Sequence, residues 1–126
     1  MLNTRLSYLY RDASNYKQSG SVVFAGAITP TQRTQVIQAL DEGSYLIVEQ
    51  VGLANLREER WSHGNEDDHV WHEVTEIALT EDAPTDERTI DEFVAELVAT
   101  TWDEGAATAR LEEWRCATGA PSGERN

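Results

Sequence analysis

Thr29-Pro30-Thr31-Gln32 is a helix start written in side chains. Threonine at the N-cap accepts from the backbone, and proline suits the first helical position, where no N–H partner exists. A glutamine three residues after the cap reaches back to it. Thr89-Ile90-Asp91-Glu92 repeats the arrangement late in the chain. These two capping boxes constrain the fold more than any other feature, because each fixes a point where extended chain must give way to helix. Behind the first, Val36, Ile37 and Leu40 form an apolar stripe, and Gly43 is placed to end the helix. Behind the second, Ile90, Phe93, Val94, Leu97, Val98 and Thr101 recur at helical spacing.

The segments between follow the other period. Leu6, Tyr8 and Tyr10 alternate with polar neighbours and predict a strand. Ser21 to Ala25 predicts a second, joined to the first by a long polar connection from Asp12 to Ser19. Tyr45 to Val48 is a short apolar run that reads as a buried strand, and His69 to Thr80 alternates as a longer one, with Ile77 and Leu79 inward. Val51, Leu53 and Leu56 are expected to tuck a loop onto the core. A last helix is expected from Ala106 to Cys116, with Ala107, Leu111 and Trp114 inward. The order β-β-α-β-β-α-α predicts an α+β fold: an antiparallel or mixed sheet of about four strands, with two or three helices packed on one face. Residues 1–116 are expected to form a single domain and 117–126 a flexible C-terminal tail.

The 126 residues are 40% apolar and 26% charged, enough for one hydrophobic core. A lone cysteine, Cys116, excludes an internal disulfide, fits a reducing cytoplasm and reads as a buried structural residue. Met1 to Tyr10 lacks the basic start and long apolar run of a secretory signal, and no apolar run is long enough to span a membrane. Charge is unevenly spread. Residues 1–40 hold four cations and one acid, whereas residues 41–126 hold six cations and 22 acids, for a net −13. That balance opposes direct binding to nucleic acid and points to a partner with a basic surface.

Two stretches concentrate chemistry. In the first, Arg11, Asp12, Asn15 and Lys17 lie within seven residues. Arginine can fork onto a carboxylate or phosphate, while Asp12 and Asn15 are also residues with which a turn bonds its own backbone. In the second, Asp68, His69, His72 and Glu73 carry ligand types suited to a divalent ion. On a regular strand His69 and His72 would point to opposite faces, leaving Asp68 with His72, and His63 from the preceding loop, as a metal alternative. A solvated acidic loop is the competing reading. Nothing in the sequence calls for a cofactor. Trp61, among charged neighbours, is a candidate partner anchor or a pin for a long loop. There is no Gly-rich phosphate loop, GxSxG or HExxH.

The run Tyr8-Leu9-Tyr10-Arg11-Asp12-Ala13-Ser14-Asn15-Tyr16-Lys17, with Gly20 to Phe24, resembles the opening of a family of small, acidic, uncharacterised bacterial proteins. Glu49-Gln50-Val51-Gly52-Leu53 and Asp67-Asp68-His69-Val70-Trp71-His72-Glu73 are similar to later stretches of that family. The resemblance covers roughly residues 8–80 and implies no activity. It joins the two polar stretches, which would meet if the first and last long strands are neighbours, with Arg11 and Lys17 neutralising the acids.

Three expectations follow. The first is a cytoplasmic interaction or regulatory protein that docks a basic protein partner, with a surface resembling nucleic acid in charge, through Trp61, Asp91, Glu92, Glu96, Glu112 and Glu113. The second is a small metal-assisted hydrolase acting on an anionic substrate. The third is a stand-alone structural domain whose polar cluster only stabilises it.

Overall fold

The computed structural model describes residues 1–12, 14–60 and 68–118. Trp61, His63 and residues 119–126 of the expected tail lie outside the described residues. The elements run β1 (Asn3–Arg11), β2 (Lys17–Phe24), α1 (Pro30–Ala39), β3 (Tyr45–Leu46), one turn of 3₁₀ helix (Val48–Gln50), α2 (Leu56–Arg60), β4 (His72–Thr80), α3 (Ile90–Ala99) and α4 (Glu104–Thr118). The fold is α+β, as the pattern predicts, with four helices among the described residues. The sheet is antiparallel throughout, in the order β2-β1-β4-β3. β1 and β4 are therefore neighbours, which is the condition for the two polar stretches to meet.

Both capping boxes form as written. Thr29 accepts from Gln32 N while the Gln32 side chain accepts from Thr29 N, and Thr89 and Glu92 do the same. α1 ends at Leu40 instead of running to Gly43, whose positive φ of 75° serves the turn into β3. Ile37 is exposed, because Val36 and Leu40 share a helix face and Ile37 sits about 100° away. The β1–β2 connection is shorter than expected, since β2 begins at Lys17, directly opposite Arg11.

One face of the sheet carries the core. Leu6, Tyr8 and Tyr10 from β1 and Phe24 from β2 pack against Val36, Leu40, Ile90, Phe93, Val94 and Leu97, with Val51, Leu53 and Leu56 closing one end. Phe24 and Phe93 stack with ring centroids 4.4 Å apart. Gly20 lies beneath Leu56, where a Cβ would come within 2.8 Å of its methyl group. A second cluster of Ile47, Val70, Ala107 and Leu111 is flanked by Trp71, Trp102 and Trp114. Trp102 lies between α3 and α4 and donates its indole N–H to Ala39 O at 3.0 Å. The last residues of the outer edge of β2 are paired: Thr85 N and Asp86 N donate to Val23 O, and, just beyond the strand, Ile90 N to Ala25 O. Pairing an edge in this way removes a template for aggregation.

β4 departs from the sequence reading at both ends. Ser7 pairs with Glu76 but Tyr8 with Val74, so Thr75 is an extra residue, a β-bulge. The strand begins at His72, leaving 68–71 irregular. Leu79 is exposed, although its register partner Thr4 on β1 is buried. Cys116 is also exposed, not buried, because the inward stripe of α4 is set by Ala107 and Leu111. No helix among the described residues is long and apolar enough to cross a membrane.

Candidate functional site

The end of β1 and the start of β4 build a polar lock around Tyr10. Its ring is fully buried, and its hydroxyl donates to Asp68 Oδ1 at 2.7 Å and accepts from His69 N at 3.2 Å. Burial first, then the bond and the charge of Asp68, push the Tyr10 pKa above its ordinary value, so the phenol stays a donor. His69 and His72 both lie against this ring, with centroids at 5.0 and 5.2 Å. The expectation that they face opposite ways fails because His69 precedes the strand and a bend at Val70 reorients it.

Each imidazole is held by backbone. His69 donates Nε2–H to Arg11 O at 2.5 Å and accepts Trp71 N–H at Nδ1, 3.1 Å away. His72, 1% exposed, accepts Leu56 N–H at Nε2 over 3.1 Å. Its hydrogen therefore sits on Nδ1, which is enclosed without a partner among the described residues. Burial, reinforced by the nearby Arg57 charge, lowers the His72 pKa to about 3, so the ring is neutral at physiological pH.

Arg57 is the residue that sequence reasoning missed. It stands among the charged neighbours of Trp61, where the sequence pattern marks no element, yet its side chain is fully buried. Its Nη1 donates to His69 O at 2.7 Å and its Nη2 to Glu58 Oε2 at 3.0 Å, and its guanidinium lies 5.1 Å from the Trp114 ring centroid. Periodicity in the five-residue α2 is too short to mark it.

The remaining expected site residues divide. Asp12, buried, accepts from Ser14 N and Tyr16 N and closes the β1–β2 turn, where Asn15 adopts φ 66° and donates its N–H to Asp12 O. Arg11 and Lys17 are exposed and make no ion pair among the described residues, so they do not neutralise Asp68. The reason is the strand period: Tyr10 points into the core and reaches Asp68, while Arg11 points the other way. Arg11, Asp12, Tyr45, His69, Trp71, His72 and Glu73 line a cavity of about 270 Å³ at this end of the sheet. Among the described residues no three His, Cys, Asp or Glu side chains are grouped to hold a metal.

The acidic helices are partly spent on the fold. Asp91 accepts from Gln32, Glu92 completes its capping box, Glu96 pairs with Arg88, and Glu112 with Arg115. Glu113 is different. It lines a groove between α2 and α4 with Glu58, Arg110, Trp114 and Ala117. Arg110 bonds Glu58 through both terminal nitrogens, and the fields of Glu49 and Glu113 add to that bond in raising its pKa. Glu58 is correspondingly held below the usual carboxylate range, first by Arg110 and then by Arg57. Glu49 Oε1 is enclosed with no hydrogen-bond partner among the described residues.

In comparison with known proteins, the chain matches no family model, no curated protein and no solved structure.

Proposed function

We propose that this protein is an acidic docking module that engages a basic protein partner at the α2–α4 groove. The observation that carries the reading is Glu113: it lines the groove beside Glu58, Arg110 and Trp114 and makes no ion pair among the described residues, whereas Glu58 is shared between Arg57 and Arg110. An incoming lysine or arginine side chain would find the Glu113 carboxylate beside the aromatic surface of Trp114. Five arginines already serve internal ion pairs, so the fold itself leaves the acid surplus uncompensated. In the competing catalytic reading both imidazoles already serve backbone N–H or C=O partners, Asp12 closes a turn and Asp68 accepts the buried phenol, which leaves that reading Glu73, Arg11 and Lys17. A cytoplasmic setting belongs to this proposal.

Calorimetric titration of hexa-arginine into the parent, Glu113→Lys and Glu76→Lys tests it. The two variants change net charge equally, but only Glu113 is on the groove. Weakening confined to Glu113→Lys, with affinity falling as salt rises, supports docking at the groove. Equal weakening in both variants would mean attraction to the overall charge.

A further inference from the structure

The cavity at the end of the sheet combines features that the polar lock beneath it does not use. Arg11 and Glu73 both line it, yet neither makes an ion pair with any described residue. Opposite charges that share a cavity and stay apart leave each able to meet a group of the other sign. Asp12 also lines the cavity, its carboxylate held by backbone N–H groups of the turn, and Lys17, outside the lining, stands directly across from Arg11 in the β1–β2 register. Two like charges in that position repel, and an anion between or above them relieves the repulsion. On the other side, Glu73 is paired in register with Leu9 of β1 and Tyr45 of β3. Tyr45 and Trp71 therefore bring aromatic surface to the same cavity as this carboxylate, the combination that receives an ammonium group. Trp71 is held in place by its indole N–H, which donates to Glu104 Oε1 at 3.4 Å. His72 lines the cavity too, and its enclosed Nδ1–H has no acceptor among the described residues. At about 270 Å³ the space lies just below the usual range for ligand pockets, which suits a small metabolite and not a nucleotide.

We propose that this cavity binds a small zwitterion of free amino-acid size, with its carboxylate on Arg11 and its ammonium on Glu73 between Tyr45 and Trp71. The site is separate from the α2–α4 groove and does not depend on it.

The test is a thermal-shift screen of the full chain against the common free L-amino acids and glycine betaine, followed by calorimetry on the best binder. The same titrations use its decarboxylated amine, its deaminated acid and inorganic phosphate. Arg11→Gln and Glu73→Gln, each checked for an unchanged far-UV spectrum and melting temperature, complete the set. The expected result is saturable binding of a zwitterion, at least tenfold weaker binding of both single-charge analogues, and at least tenfold loss in either variant. Three results would overturn the proposal: no member of the panel binds; the acid or phosphate binds as well as the zwitterion; or binding survives both substitutions.

Discussion

His72 offers the sharpest link between the fold and a measurable property. Its pKa falls from 6.5 to about 3 because the ring is buried and lies near Arg57 and His69, with only Glu58 opposing. The unfolded chain takes up a proton on this ring below pH 6.5, while the folded chain resists until about pH 3. Stability from this group is therefore complete above the unfolded pKa and is lost as pH falls towards the folded one. Each pH unit in the window costs about 1.4 kcal/mol, so lowering pH from 7 to 4.5 removes roughly 2–3 kcal/mol. That is a large share of the ~5–15 kcal/mol typical of a domain. Glu58 and Asp86 also have lowered pKa values and lose stability on acidification, so the parent's slope alone is ambiguous. His72→Gln resolves this, because glutamine can still accept Leu56 N–H but does not titrate. Urea unfolding of both proteins from pH 7 to 4.5 isolates the His72 contribution in the difference. The variant should be less stable at neutral pH, and the gap should close by roughly 2–3 kcal/mol at the acid end. Parallel curves, or an NMR titration placing His72 near 6.5, would refute the reasoning.

Three further outcomes test the packing. Tyr10→Phe removes the phenol bridging Asp68 and His69 N and should cost about 1–3 kcal/mol in urea unfolding, with little change in the far-UV spectrum. Gly20→Ala places a methyl within 2.8 Å of Leu56 and should cost about 1–3 kcal/mol; Gly20→Ala with Leu56→Val should recover part of that loss. Arg88 ties Asp86 and Glu96 to the carbonyls of Val51 and Gly52 while lying 5.2 Å from the Phe93 ring centroid, so Arg88→Met should lower the melting temperature and Arg88→Lys should not restore it.

The sequence made the capping boxes legible because each is a local exchange of hydrogen bonds among four residues. It made the inward faces of β1 and of most of α3 legible from their apolar periods. The α3 stripe was read too far: Val98 is exposed, one residue round the helix from Leu97, and Thr101 lies exposed beyond the helix end at Ala99. The bulge at Thr75 was not legible, since an inserted residue is defined by its partner strand, and β1 lies far away in sequence. The same dependence hid the site. Arg57 becomes a core residue only when β1, α2, 68–71 and α4 converge on it. The meeting of the two polar stretches was foreseen from charge, but the partners were misassigned: Tyr10, not Arg11, reaches the Asp68 carboxylate, and Arg115 of α4 donates to the Asp68 carbonyl. Arg11 was left exposed at the cavity, where its chemistry is available to a ligand.

The central claim, that the acid surplus is directed at the α2–α4 groove, can be read residue by residue. Amide and indole chemical shifts of the labelled protein, recorded while hexa-arginine is added at physiological salt, map where a basic ligand sits. The account predicts changes concentrated at Glu58, Arg110, Glu113 and the Trp114 indole, with Glu76, Glu81 and Asp41 unmoved. Shifts spread evenly over the acidic surface, or centred away from this groove, would contradict it.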